Sequence, residues 1–327
     1  APLGVIPGDF RVLKGGSWLA PGSVARSANR EAWDVIFGNF DHQLANGFRC
    51  ATSNDSIVAQ VNITPMPARK IVSQVSPVDG MRMMYVPAGE FVMGSDYFEE
   101  DEKPAHAVHL EAFWIDQYEV TNGMYAKCVE TKRCSAPIRY LSPVPIFNSI
   151  QEIVGYQLTD DSKFLEQLAN DPDFFDQPVT DIFWENANAY CQWAGRRLPT
   201  EAEWEKAARG IDSRTYPWGE NIDCTRANFF SCVGNRSRVG SYKAGQSPYG
   251  VHDMAGNAME WVADWYSNTY YESSPYENPL GPASGLYHVF RGGSWNSEDT
   301  ANRTTNRPGY VANLPLDFIG FRCASSN

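Results

Sequence analysis

The stretch SPYGVHDMAGNAMEWVADWY, Ser247–Tyr266, decides how the chain is read. Gly, Asn, Asp, Trp and Tyr follow one another in it without a helical period. The sequence from Gly210 onward has the same texture of short segments broken by turn residues. A bundle or a regular sandwich is excluded. The pattern predicts a mostly irregular domain with small strands at its centre, held by disulfides, buried aromatics and bound cations.

Upstream of that stretch, regular elements become legible. Thr200 and Glu203 form a capping box for a helix Glu201–Arg209 that Gly210 ends. Before it, a helix from Trp184 to about Ala194 gathers Trp184, Ala187, Tyr190, Cys191 and Ala194 on one face. Thr121 caps a third helix, Asn122 to about Glu130, and Asp171–Gln177 reads as a polar loop. Met83–Met93 predicts two short strands around a turn at Pro87–Gly89, and His106–Glu111 alternates as a strand. The acidic tract Glu99–Glu102 reads as a solvated loop.

Further out, the two ends of the chain repeat each other. Arg11–Trp18 is RVLKGGSW and His288–Trp295 is HVFRGGSW; an Asn-Arg pair ends at Arg30 and at Arg307, and GFRCA closes both at Gly47 and Gly320. The copies differ by four residues in the loop before the closing motif. Residues 1–52 therefore read as the C-terminal segment of a preceding, similar domain, residues 53–78 as a linker, and residues 79–327 as the main domain. Two other readings stay open: the segment packs as an extra edge on the main domain, or it completes a neighbouring molecule. The chain opens at Ala1, which reads as the start of a processed product.

With 327 residues, 43% hydrophobic and 13% aromatic, there is ample material for a core. A formal charge of -12 argues against nucleic acid or an anionic membrane as partner, because both need clustered Lys and Arg. No apolar run is long enough to span a bilayer, so membrane insertion is not expected. Seven cysteines, with Cys128 close to Cys134 and Cys224 close to Cys232, suggest short-loop disulfides and a secreted or cell-surface protein.

YVPAGEFVMGS at Tyr85, DQYEVTNGMY at Asp116, AYCQWAGRRLPTEAEWEKAARG at Ala189, YPWGE at Tyr216, the Ser247 stretch, and FRGGSW with GFRCA at the end resemble the formylglycine-generating (sulfatase-modifying factor) family in order and spacing. The resemblance covers residues 79–327 and implies an irregular, C-type-lectin-like α+β fold. It also implies a disulfide between Cys191 and Cys323, leaving Cys50 as the odd thiol. Structural calcium is implied at Asp253, Gly256, Ala258 and Glu260, and at a second site that begins with Asn228 and Phe229, where Asn235 stands in for an acidic ligand.

The family's oxidation uses two cysteines that bind copper(I), since soft thiolates select that ion. Their places fall here on Ser297 and Asn302, and no Cys lies between Trp295 and Phe321. The five histidines show no paired metal-binding spacing, and His106 and His109 fall on opposite strand faces. The expectation is a non-catalytic extracellular binding or scaffolding module with an unidentified ligand or protein partner. The competing readings are a metal-dependent modifying enzyme with an altered site, and a surface-assembly subunit connected through residues 1–52 to a preceding domain or a neighbouring copy. Trp261, Trp265 and Trp295 read either as groove lining or as core. Arg291, Arg303 and Arg307 read either as loop anchors or as ligand contacts.

Overall fold

The structure, a computed structural model, describes residues 10–14, 30–34, 71–140, 142–147, 153–159, 162–230, 232–311 and 316–326. The chain divides into two units, Ala1–Pro67 and Ala68–Asn327. In the first, strands β1 (Phe10–Lys14) and β2 (Arg30–Asp34) pair antiparallel. The closing GFRCA motif at Gly47 and residues 53–70 of the expected linker lie outside the described residues.

The second unit starts earlier than the sequence suggested. Strand β3 (Ser73–Val75), expected to be linker, is an edge strand on β4 (Arg82–Val86). The turn after β4 leads into β5 (Gly89–Met93), which pairs with β6 (His106–Leu110), while β4 pairs with β7 (Phe113–Asp116). The two strands around Pro87 therefore enter different sheets. Helix α1 (Asn122–Glu130) follows, with the Thr121 hydroxyl accepting from the Met124 N–H.

A hairpin of β8 (Ser142–Phe147) and β9 (Ile153–Thr159) precedes helix α2 (Ser162–Asn170). The Asp171–Gln177 segment, read as a loop, contains a one-turn helix α3 (Pro172–Phe175), because the Asp171 carboxylate caps two amides and Pro172 has no amide to satisfy. Helix α4 (Trp184–Trp193) buries Ala187, Tyr190 and Cys191 fully and Ala194 nearly so, as its spacing required. Helix α5 (Glu201–Arg209) carries both bonds of the capping box and stops at Gly210, whose φ is +72°.

Strand β10 (Met259–Trp265) is an interior strand of a four-stranded sheet in the second unit. It pairs antiparallel with β11 (Tyr287–Arg291) and parallel with β13 (Ile319–Phe321); β12 (Gly309–Val311) lies beyond β11. The last strand, β14 (Ala324–Ser326), crosses to β7, giving a second sheet ordered β14-β7-β4-β3. Because side chains alternate across a strand, Trp261 enters a core with α1, α2 and α4, and Val262 enters one with α5 and β4 to β7. Among the described residues, three disulfides join Cys128 to Cys134, Cys224 to Cys232, and Cys191 on α4 to Cys323. The result is α+β, with small sheets and few helices.

Candidate functional site

The turn before β10 is fixed by backbone contacts that need its residue types. Gly256 has φ +81°, and a Cβ there would lie 2.2 Å from the Asn228 carbonyl oxygen. Only glycine fits. The close approach lets the Asn257 N–H donate to Asn228 O at 2.8 Å and the Gly256 N–H donate to Gly292 O at 2.8 Å. The turn thus joins the Asn228 segment to the GGSW loop.

The expected calcium ligands fall into two groups around this turn. Glu260 is fully buried, and its carboxylate accepts two bonds of 2.6 Å from Arg322 and one of 2.7 Å from Trp204 Nε1. Its charge is compensated within the protein. Asp253 Oδ2 accepts from the Gly240 N–H at 2.6 Å, and burial raises its pKa to about 6. The Phe229 carbonyl receives the Cys232 N–H at 2.9 Å.

Around Asn228 the pattern differs. Its Nδ2 donates to Asn235 O at 2.8 Å and Ser237 Oγ at 3.0 Å, whereas its buried Oδ1 has no partner. Asn257 Oδ1 accepts from the Ser237 N–H at 2.8 Å, and Asn257 Nδ2 donates to Glu119 at 3.0 Å. Glu119 also accepts the Ala258 N–H at 3.0 Å. Local sequence reading missed Glu119, whose only signal is a lone charge between Tyr118 and Val120. Burial raises its pKa well above the usual carboxylate range, helped by the charges of Asp253 and Glu260. Among the described residues, no three His, Cys, Asp or Glu side chains converge as metal ligands.

The second locus is the loop after β11, where Ser297 and Asn302 stand. Ser294 Oγ lies 2.9 Å from Ser297 Oγ and donates to Asn296 Oδ1 at 2.6 Å. Asn302 Nδ2 donates to Glu298 O at 2.6 Å, and its Oδ1 is packed against Gly293, where a Cβ would come within 2.3 Å of it. Ser294 and Asn302 are fully buried and Ser297 nearly so. The two serine hydroxyls pair with each other, the Asn302 amide nitrogen is held by backbone carbonyls while its buried Oδ1 has no partner, and none of the three is a soft ligand.

Buried ion pairs tie this loop to the frame. Arg307 binds Glu201 through two bonds of 2.8 and 2.9 Å, Arg291 reaches Glu205 at 2.5 Å and Glu201 at 3.2 Å, and Arg303 reaches Glu102 at 2.7 Å. All three arginines are anchors. Glu102 is fully buried, so the acidic tract is not wholly solvated as its composition suggested. Trp261 is core, whereas Trp265 and Trp295 are half-buried.

Aromatic side chains rim the loop. The Phe230 N–H donates to Ser297 O at 3.0 Å, and the Phe230 residue is 63% exposed. Tyr216 donates to Asp299 O at 3.2 Å and stacks on Trp218, while Phe98 lies under the Arg303 guanidinium at 4.1 Å beside the exposed Tyr97.

Residues 69–327 match the sulfatase-modifying factor enzyme 1-like domain. The chain belongs to this family. Among its relatives are the serine/threonine-protein kinase pkn1 of Chlamydia caviae, 39% identical over 250 residues, covering 74% of this chain and 37% of that protein. The chain therefore spans well under half the length of that relative. The formylglycine-generating enzyme of Streptomyces coelicolor is 31% identical, with 73% of this chain and 88% of that one covered. The inactive C-alpha-formylglycine-generating enzyme 2 of Mus musculus is also 31% identical, with 75% and 85% covered. In three dimensions the sulfatase-modifying-factor-like domain is similar to PvdO from Pseudomonas aeruginosa, at 25% identity and a TM-score of 0.61 over 78% of this chain and 98% of that one.

Proposed function

We propose that this sulfatase-modifying-factor-like domain is a non-catalytic extracellular binding module. The observation that carries the reading is the chemistry of Ser297 and Asn302, a hydroxyl paired with Ser294 and an amide bonded to the Glu298 carbonyl, at the places that resemblance assigns to a copper-binding cysteine pair. None of the three supplies a thiolate. The family includes a relative named as inactive, so fold without oxidation has a precedent. The loop from Trp295 to Gly320 is the binding surface: ion pairs hold its base, and exposed Phe230 and Tyr97 flank it with apolar area suited to a partner.

Three disulfides support an oxidising location outside the cytoplasm. Among the described residues no helix is long and apolar enough to cross a membrane. Structural calcium belongs to the same proposal, placed at the Asn228 corner. The unpaired Asn228 Oδ1 and the Glu119 carboxylate are hard oxygen ligands of the kind Ca²⁺ takes, whereas Glu260 is committed to Arg322.

The test is oxygen consumption by the purified chain supplied with a cysteine-containing peptide and copper(I), with metal content measured on the same preparation. The expected result is no turnover and no stoichiometric copper. Turnover would overturn the reading in favour of a modifying enzyme with an altered site.

A further inference from the structure

The three disulfides among the described residues differ in access. Cys128, Cys191 and Cys323 are fully buried and Cys134 is 6% exposed, whereas Cys224 is exposed and its partner Cys232 half-buried. Thiol–disulfide exchange requires an attacking thiolate to reach a disulfide sulfur, so access ranks the bonds. Cys224–Cys232 is the one that a thiol in solution meets.

This bond closes the segment that forms the Asn228 corner. Within it the Asn228 carbonyl accepts the Asn257 N–H at 2.8 Å, and the Phe230 N–H donates to Ser297 O at 3.0 Å. The segment therefore touches both the turn before β10 and the loop after β11. Its two ends are anchored unequally. At the start, Asp223 accepts the Thr225 N–H at 2.8 Å and the Arg226 N–H at 3.0 Å, and a Cβ on Gly245 would lie 1.9 Å from the Arg226 carbonyl oxygen, so the chain is seated closely there. At the far end the Cys232 N–H turns back onto Phe229 O at 2.9 Å, within the segment itself, and Val233, Gly234 and Asn235 are exposed. The disulfide ties the exposed end to the seated one.

Opening it is a local event. The bond spans 8 residues against 132 for Cys191–Cys323, so cutting it returns little entropy to the unfolded chain, while the buried pair goes on holding α4 to the closing strands.

We propose that Cys224–Cys232 is a thiol-exchange site through which a dithiol releases the Asn228 corner. A thiolate of the dithiol attacks Sγ of Cys224; a mixed disulfide forms and Cys232 leaves as a thiolate. The second thiol of the reductant then attacks its own partner sulfur in the mixed disulfide and frees Cys224. Two electrons pass to the protein, each cysteine takes up one of the protons that the dithiol gives up, and the dithiol ends as a disulfide. With the bond open, the Phe230–Ser297 and Asn257–Asn228 bonds loosen together. The consequence for a partner, that Phe230 no longer flanks the Trp295–Gly320 loop in a fixed place, rests on the binding role proposed above; the exchange itself does not.

The test uses the full chain under native conditions. Free thiols are alkylated first, a limiting amount of dithiothreitol is added, and the thiols it frees are labelled with a second reagent and located by peptide mass mapping. The expected result is labelling of Cys224 and Cys232 about tenfold or more faster than of Cys128, Cys134, Cys191 and Cys323. Urea unfolding should stay cooperative, and amide hydrogen exchange at Phe230 and Asn257 should quicken and return to its starting rate on reoxidation. Cys224→Ser/Cys232→Ser should show the same fast exchange without reductant and no further change with it. Equal labelling of all three bonds, loss of cooperative unfolding on reduction, or selective labelling with unchanged exchange at both amides would overturn the proposal. None of these readouts depends on whether the chain binds a partner or oxidises one, so a failure here is separate from a failure of the binding-module reading.

Discussion

Glu260 and Arg322 form a wholly buried pair joined by two bonds of 2.6 Å, and Trp204 adds a third contact to the same carboxylate. Removing one member of such a pair leaves the other charged and desolvated. Glu260→Ala is expected to lower unfolding free energy by about 3–5 kcal/mol. Urea denaturation with calcium and with a chelator should give the same loss, since the carboxylate is engaged by arginine. A loss present only with calcium would make Glu260 a metal ligand.

Asp253 gives a pH signature. Its folded pKa is about 6 against an ordinary value of 3.8, with burial as the main cause. Between those two values the folded chain holds a proton that the unfolded chain has released, so stability falls as pH rises through the window. The contribution is complete below about pH 4 and lost above about pH 6, amounting to about 3 kcal/mol. Without calcium, Asp253→Asn should flatten this part of the urea-midpoint profile; an unchanged slope would assign it elsewhere.

The disulfides should differ by the chain they close. Cys191–Cys323 spans 132 residues and Cys128–Cys134 spans 6. Loop entropy assigns about 5 kcal/mol to the first and about 2 kcal/mol to the second. Comparing Cys191→Ala/Cys323→Ala with Cys128→Ala/Cys134→Ala by chemical denaturation checks the order. Equal losses would refute the entropic account for this fold.

Two glycines with similar backbones separate conformational strain from collision. Gly195 has φ +73° and open space where a Cβ would go, whereas Gly256, at φ +81°, has the Asn228 carbonyl in that place. Gly195→Ala should cost about 1–2 kcal/mol, the penalty of the left-handed region alone. Gly256→Ala should cost clearly more and loosen the Asn228 segment, seen as faster amide exchange at Asn257. Equal thermal shifts would mean that Asn228 moves aside freely.

What the sequence disclosed was local. Thr200 and Glu203 are three residues apart, and the buried face of α4 is written in its own spacing, so both elements were legible. Glu119 meets the Asn257 side chain across 138 residues, and Glu102 meets Arg303 across 201. No local periodicity encodes such distances, which is why Glu119 was missed and Glu102 was read as solvated. Glu260, a calcium ligand by resemblance, also bonds Arg322 across 62 residues, a contact that no local motif shows. The α3 turn escaped notice because one turn is too short to show a period.

The parallel strand β13 and the crossing strand β14 occupy the last stretch of the domain, yet they complete both sheets and carry Cys323. During synthesis, from N-terminus to C-terminus, the Glu260 carboxylate waits for Arg322 and the α4 thiol for Cys323 until that stretch emerges. The domain therefore cannot mature stepwise along the chain. The growing domain stays open until residues 319–326 arrive, and a product truncated before Ile319 lacks the closure that both of its four-stranded sheets are built around.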